Sequence, residues 1–293
     1  MLPFDIATPG TLAEALALLD QYDEEACVFA GGTALVIALR QRMIAPRVVV
    51  SIGQLPGLSE ITYSEAEGLR IGALARHAQI AASDPVRRHY PVLAQLFGGL
   101  ANPQVRNQGT VGGNLCYADP ATDPPSCLLA LGAEVIIAGR MGQRRLPMRA
   151  FLVDFFTTAL EPGEILAGIH IPPPQPGEHA LYRRHLRTPA EHRPLANVAL
   201  RFVAGPDGHS WKDVRLAIGA AVPVALPMDE AGRALTGRPI TLAVAGEAAA
   251  LVAERLEPIS DSRGDAAFRT AVVRAAVRRI VAEAAGLDWT ETT

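Results

Sequence analysis

Two glycine pairs are the clearest places where this chain could do chemistry, and that chemistry is anion binding. Gly31-Gly32 falls between an apolar run, Val28-Phe29-Ala30, and a segment with helical spacing from Thr33 onward. Gly112-Gly113 lies within Thr110-Val111-Gly112-Gly113-Asn114, directly after Gly109. Glycine permits close backbone approach and positive φ, so successive N–H groups can converge on one phosphate. The second loop adds a hydroxyl from Thr110 and an amide from Asn114. Neither loop contains Lys or Arg, so a phosphate here would rest mainly on backbone N–H groups. A helix dipole contributes about 0.3–1 kcal/mol at an exposed site. A charge-assisted hydrogen bond contributes roughly 1.5–3 kcal/mol. Several such bonds from two loops would hold a pyrophosphate; one dipole would not. Each pair taken singly is also an ordinary tight connection, and neither has the G-x-G-x-x-G spacing of a Rossmann fold. The residues alone leave both readings open.

The other reactive residues are dispersed. Cys27, Cys116 and Cys127 form no C-x-x-C pair. Zinc and iron–sulfur sites need four soft ligands at close quarters, so the three thiols read as small apolar side chains. The 7 histidines are scattered, and His185 and His192 flank a proline-containing loop without metal-ligand spacing. Lys212 is the only lysine, between Trp211 and Asp213, so there is no Walker-type loop and P-loop ATPases and GTPases are excluded. Schiff-base and PLP chemistry would depend on that one lysine. No residue stands out as catalytic acid, base or nucleophile, and none as a metal ligand.

The loops need elements to position them. Thr11 to Glu14 is a capping box that opens a short helix carrying Leu12, Leu16 and Leu19. The patterning predicts strands at 28–30 and 48–52, a helix at 33–41, and a hairpin from 61–63 and 69–72. Helices are expected near 77–82 and 86–100, then a long Gly/Asn/Gln-rich irregular segment over 101–114. A helix should start at Asp123-Pro124, with strands at 134–138 and 165–171. The run from Pro172 to Gly177 is a stiff connector and the best domain boundary. Beyond it come strands near 180–186, 195–203 and 214–220, and closing helices. The clearest, 268–285, sets Arg274, Arg278 and Arg279 on one side and Val272, Ala276 and Ile280 on another.

At 293 residues, 49% hydrophobic and 19% charged, the chain reads as an ordinary globular protein of about two domains. A net charge of −3 gives no reason to expect nucleic acid as a partner. No apolar run approaches the ~18 residues of a membrane span. The first residues lack a secretory pattern, so a cytoplasmic protein is expected.

Ala30-Gly31-Gly32-Thr33 followed by Thr110-Val111-Gly112-Gly113-Asn114 resembles the FAD subunit of molybdenum hydroxylases. That family includes carbon monoxide dehydrogenase medium chains and the flavin domain of xanthine dehydrogenase. The flanks match as well: Asn102-Pro103-Gln104-Val105-Arg106-Asn107, Leu115-Cys116-Tyr117-Ala118-Asp119-Pro120-Ala121, and Ile71-Gly72-Ala73-Leu74-Ala75-Arg76-His77. So do Leu160-Glu161-Pro162-Gly163-Glu164-Ile165-Leu166 and Asp261-Ser262-Arg263-Gly264, and the likeness covers nearly the whole chain.

The resemblance implies an α+β protein. Residues 1–173 would form an FAD-binding fold of the vanillyl-alcohol-oxidase type, with subdomains of about 1–55 and 56–173. Residues 178–293 would form a C-terminal α+β domain of antiparallel sheet and helices. Ala30, Gly31, Gly32, Thr33 and Ala34 would clamp the FAD pyrophosphate together with Thr110, Val111, Gly112, Gly113 and Asn114. Asp123 matches a family position that contacts the cofactor, and Leu166 one that lines it. Read locally, Asp123-Pro124-Pro125 is also a helix N-cap with proline at N1, and Leu166 is equally strand core.

Three positions depart from the family. Ala34 replaces a common polar residue, and Tyr117 a frequent His. Arg183 stands in for the usual Lys beyond the linker, although a guanidinium is not a point-charge ammonium. These changes bear on redox potential and oxidant preference. The resemblance further implies partners: a large molybdopterin subunit and a small subunit with [2Fe–2S] clusters. FAD here would pass electrons to an external acceptor such as NAD or a quinone. A stand-alone flavin oxidase or reductase on the same fold is the alternative.

Overall fold

The computed structural model describes residues 1–290, so the last three residues of the expected C-terminal domain lie outside the described residues. The chain begins with β1 (Asp5–Ala7), α1 (Leu12–Tyr22), β2 (Ala26–Phe29), α2 (Leu35–Arg40) and β3 (Val48–Ser51). The strands form a parallel sheet in the order β1-β3-β2. Thr11 caps α1 by accepting from the Glu14 N–H at 3.1 Å, while the Glu14 carboxylate takes the Gly10 N–H at 2.8 Å. Ala15, Leu16 and Leu19 of α1 pack with Val48 and Val50 of β3. The sequence pattern missed β1, whose three residues are too few to display a period. β2 is an edge strand, half-buried throughout.

The second unit contains β4 (Ile61–Ser64), β5 (Gly68–Gly72), α3 (His77–Ala82), α4 (Asp84–His89), α5 (Pro91–Gly99), α6 (Pro103–Gln108), α7 (Val111–Tyr117) and α8 (Pro124–Ala130). It continues with β6 (Glu134–Gly139), β7 (Gly142–Pro147), α9 (Met148–Phe151), β8 (Leu152–Asp154), β9 (Thr157–Thr158) and β10 (Ile165–Ile171). The antiparallel order β4-β5-β10-β6-β7 puts the last strand in the middle. Two expectations are corrected here. The helix foreseen over 86–100 is broken at Tyr90-Pro91, because proline has no N–H to continue the ladder. The segment foreseen as irregular over 101–114 is largely helical, as α6 and the start of α7. β7, a polar edge strand, went unforeseen.

A β-bulge between Leu166 and Gly168 re-aims β10. Ile165 and Ala167 face the core shared with β3 and α1. Leu166, Ile169 and Ile171 face the other core, with α5, α7 and α8. One strand therefore supports two hydrophobic clusters.

After the proline run, β11 (Glu178–His185), β12 (Ala196–Ala204), β13 (Trp211–Gly219) and β14 (Leu226–Pro227) form an antiparallel sheet in chain order. α10 (Asp229–Leu235), α11 (Leu242–Arg255) and α12 (Ala266–Ala284) complete the chain. One face of this sheet packs on α11 and α12 through Val198, Leu200, Val252 and Val277. The other face gives Tyr182, Ala199 and Ala217 to the core containing Leu128 of α8. Ala276 and Ile280 of α12 are buried while Arg274 and Arg279 are exposed, as the spacing predicts.

Candidate nucleotide-binding site

The fold brings the two glycine loops into contact. A Cβ on Gly31 would lie 2.2 Å from the Gln108 carbonyl oxygen, so the first loop runs backbone-to-backbone against the second. A Cβ on Gly113 would lie 4.0 Å from the Ala30 Cβ. Gly32 has φ of +70°, and a Cβ there would sit 2.6 Å from the Phe29 ring. The first loop thus requires glycine at Gly31 for the approach to Gln108 and at Gly32 for conformation as well.

The two loops differ in what they leave free. Among the described residues, the N–H groups of Gly31, Gly32, Thr33 and Ala34 donate to no protein acceptor. In the second loop most N–H groups are engaged. Val111 donates to Ala75 O at 3.0 Å and Gly112 to Ala73 O at 2.8 Å. Thr110 Oγ1 accepts from the Gly113 N–H at 3.1 Å, which caps α7. The second loop therefore offers chiefly the exposed face of Gly113 and the half-buried side chain of Asn114. Its N–H groups mostly fix the loop; those of the first loop are available to an anion.

Asp123 is buried but does not cap α8 with its side chain. Its Oδ1 accepts a hydrogen bond from the Tyr182 hydroxyl of β11, and Arg184 Nη1 lies 3.5 Å from Oδ2. Burial raises its carboxyl above the ordinary value, against the opposing pull of Arg184 and the Tyr182 hydroxyl. Leu166 lies in the strand core with Val111 and Leu115. Arg183 points the other way: its Nε donates to Glu283 Oε2 of α12 at 3.0 Å. Side chains alternate along a strand, so Tyr182 and Arg184, rather than Arg183, reach the face that meets Asp123. The structure thus brings together the residues of the two loops, and turns the Arg183 side chain toward Glu283 of α12. Tyr117 is exposed at the end of α7 and packs edge-on against Phe156 at 5.2 Å.

His77 supports the second loop from below. Its N–H donates to Gly109 O at 3.1 Å, and its ring stacks on Phe97 at 5.5 Å. With 2% exposure, burial pushes the imidazole down from 6.5 to about 4. The unfolded chain then binds the proton more readily, so this contribution to stability is complete above pH 6.5 and is lost as pH falls toward 4. The expected loss is on the order of 3 kcal/mol. Urea midpoints between pH 7 and 4 should show this slope in the wild type and a flatter one in His77→Gln. An unchanged slope in the variant would assign it to another group.

Burial raises the thiols of Cys27, Cys116 and Cys127, the last two to about 12. Among the described residues no group of three or more His, Cys, Asp or Glu is arranged to hold a metal ion. Likewise, no helix is long and apolar enough to cross a membrane. A groove of about 710 Å³ opens between α1 and the β6–β7 hairpin, but no residue of either glycine loop lines it.

The sequence signalled the glycine loops and Asp123 but missed Tyr182, Arg184, Thr122 and Asn197, which surround them. Thr122 Oγ1 donates to Asn114 Oδ1 at 3.0 Å, and Asn197 Nδ2 of β12 donates to Thr122 O at 2.8 Å. No local pattern marks contacts between residues so far apart in the chain.

Comparison with known proteins agrees with this geometry. Residues 2–174 match the family model of the FAD binding domain in molybdopterin dehydrogenase. Residues 180–284 match that of the CO dehydrogenase flavoprotein C-terminal domain. The chain is 32% identical to the carbon monoxide dehydrogenase medium chain of Afipia carboxidovorans, over 97% of this chain and 98% of that one. It is 31% identical to the 6-hydroxypseudooxynicotine dehydrogenase complex subunit alpha of Paenarthrobacter nicotinovorans, over 96% and 94%. A chain in the structure of reconstituted CO dehydrogenase from Oligotropha carboxidovorans superposes with a TM-score of 0.92 at 29% identity, over 98% of this chain and 100% of that one. The two-loop α+β unit, the antiparallel C-terminal unit and these likenesses converge: the chain belongs to the FAD-binding flavoprotein family of the molybdopterin dehydrogenases, as an oxidoreductase subunit.

Proposed function

We propose that this chain holds FAD between its glycine loops, takes electrons from [2Fe–2S] clusters of a small partner subunit, and delivers them to an external acceptor. A large molybdopterin-bearing subunit would oxidise the organic substrate. The acceptor would be NAD, a quinone or another carrier, and the setting the cytoplasm. The division into residues 1–173 and 178–293 at the proline run belongs to the same reading. The observation that carries it is the contact between the two loops, with four N–H groups of residues 31–34 left free.

Bound FAD supplies the capacity to accept electrons singly and release them in pairs. The protein supplies the rest: N–H groups of residues 31–34 for the pyrophosphate, the Asn114 amide beside them, and glycine backbones that admit close approach. Arg183, held by Glu283, is proposed to act on the flavin environment only through that pairing. Leu166 supports the loop from the core. A docked partner is favoured by exposed apolar side chains beside α7, namely Tyr117, Val153, Phe155 and Phe156. The Phe156 N–H donates to Ala118 O at 3.0 Å, which ties this patch to the end of α7.

Purification from the native source is expected to bring down a large molybdenum-containing chain and a small iron–sulfur chain. Metal analysis should find iron and molybdenum in that complex and FAD alone in the isolated subunit. The isolated subunit's FAD should stay oxidised when mixed anaerobically with aldehydes, purines or N-heteroaromatic compounds. A subunit that reduces its own flavin with one of these is a stand-alone oxidase or reductase instead.

A further inference from the structure

Asn197 is fully buried on β12, a strand whose other buried positions are Ala, Val, Leu and Phe apart from the ion-paired Arg201. Its register partner on β13 is Gly219, where a Cβ would lie 2.5 Å from Asn197 Oδ1. A buried amide costs free energy unless it is hydrogen-bonded, and this one is bonded at both ends. Its Nδ2 donates to Thr122 O at 2.8 Å, and its Oδ1 accepts from Ser126 Oγ at 2.7 Å. Thr122, held in this way, turns its hydroxyl to Asn114, donating to Oδ1 at 3.0 Å. Asn114 is the last residue of the second glycine loop. With Oδ1 engaged, the Asn114 amide is fixed in one orientation, and its Nδ2 has no protein partner among the described residues.

Fastening the C-terminal sheet to this segment does not require the Thr122 hydroxyl. That connection is already made by Tyr182 to Asp123, by Ser126 to Asn197, and by Arg193 Nη2 to Asp119 Oδ1 at 2.7 Å. The hydroxyl adds one thing, the orientation of the loop amide. The first loop ends in Thr33 and Ala34, neither of which carries an amide, so Asn114 supplies the one side-chain amide of the two loops.

We infer that Thr122 and Asn197 are positioning residues that set the Asn114 amide for the flavin nucleotide, so that the C-terminal sheet preorganises a loop of the FAD site. The inference rests on the proposed placement of FAD between the two loops.

The test uses the full chain, stripped of flavin and titrated with FAD by flavin fluorescence. Visible circular dichroism of the bound flavin and melting of the flavin-free protein are recorded in parallel. Thr122→Val should weaken FAD binding about 10-fold and alter the flavin dichroism, with the flavin-free protein melting as wild type. Thr122→Ser, which keeps the hydroxyl, should restore both. Asn197→Ala will also lower the melting temperature, so it is read by coupling. Adding Thr122→Val to it should weaken FAD binding by much less than 10-fold, because the path to Asn114 is already broken. Wild-type affinity in Thr122→Val, equal weakening in Thr122→Ser, or full additivity in the double variant each overturns the inference while leaving FAD binding intact. A wild-type chain that binds FAD no better than FMN overturns the pyrophosphate placement itself, and the inference with it.

Discussion

Gly113→Val should yield a colourless protein that melts close to the wild type. Gly113 is exposed, lies in a helical conformation, and a Cβ there meets only the Thr110 hydroxyl at 2.9 Å and the Ala30 methyl at 4.0 Å. The fold can absorb a small shift of the threonine. A nucleotide cannot share the space, because an added isopropyl group would cover the gap between the loops. Loss of two charge-assisted hydrogen bonds corresponds to a weakening of roughly 100-fold or more. FAD released by denaturation and filtration measures the effect directly. Gly31→Val makes the contrast: its Cβ would overlap the Gln108 carbonyl at 2.2 Å, so both flavin and stability should be lost. Gly32→Val belongs with Gly31→Val, because it combines φ of +70° with a clash against Phe29. If Gly113→Val retains one FAD per chain, the loops are structural turns and the pyrophosphate lies elsewhere.

Asp261→Ala should destabilise the C-terminal unit by about 3 kcal/mol, the lower end of the cost of breaking a buried ion pair. Arg269 is wholly buried, and its Nη2 meets Asp261 Oδ1 at 2.7 Å. Its Nη1 donates to Leu195 O at 2.6 Å and Ala220 O at 3.1 Å. Arg263 grips the other carboxylate oxygen at 2.7 Å. Removing Asp261 would leave the Arg269 guanidinium in the core without a counter-charge. The partial exposure of Asp261 keeps the figure at the low end. Burial acts to raise the Asp261 carboxyl, but hydrogen bonds from Arg263 and Arg269 outweigh it and hold the group well below its ordinary value. A carboxyl lowered on folding stabilises above its unfolded pKa of about 4 and ceases to do so as pH falls through the lowered value. The melting gap between wild type and Asp261→Ala should therefore be widest near neutral pH and narrow in acid. A gap independent of pH would mean that the carboxylate charge is not what the guanidinium needs.

Particular residues show why part of the molecule was legible in the sequence. The glycine pairs are marked because only glycine allows the Gly31 backbone to touch Gln108 or Gly32 to take positive φ. The strand before the proline run, β10, declares itself as a short, mostly apolar run bounded by Gly163 and Pro172. The helices α6 and α7 did not, although Asn102 caps one, accepting from the Val105 N–H at 2.9 Å, and Thr110 caps the other. Their caps were present in the sequence, but helices of six and seven residues are too short for hydrophobic period to register. Asp123 looked like a cap and instead reaches Tyr182, because a buried carboxylate takes the stronger partner wherever in the chain it lies. That Arg184 faces Asp123 while Arg183 pairs with Glu283 depends on the facing of one strand relative to another unit, and composition does not encode that. Thr122 and Asn197 were invisible for the same reason.

The doubled use of β10 bears on how this chain can be divided. Ile165 and Ala167 complete the core of the three-stranded sheet, while Leu166, Ile169 and Ile171 complete the core beneath the helices. A fragment ending before residue 165 would leave the N-terminal unit with one wall missing and a row of apolar side chains in water. A fragment beginning after the first sheet would expose Ile136 and Ala138 in the same way. Division at the proline run would in turn strip Tyr182, Ala199 and Ala217 from the core that contains Leu128. Inside the first 171 residues there is no seam to cut along, and the two glycine loops must be inherited as one piece.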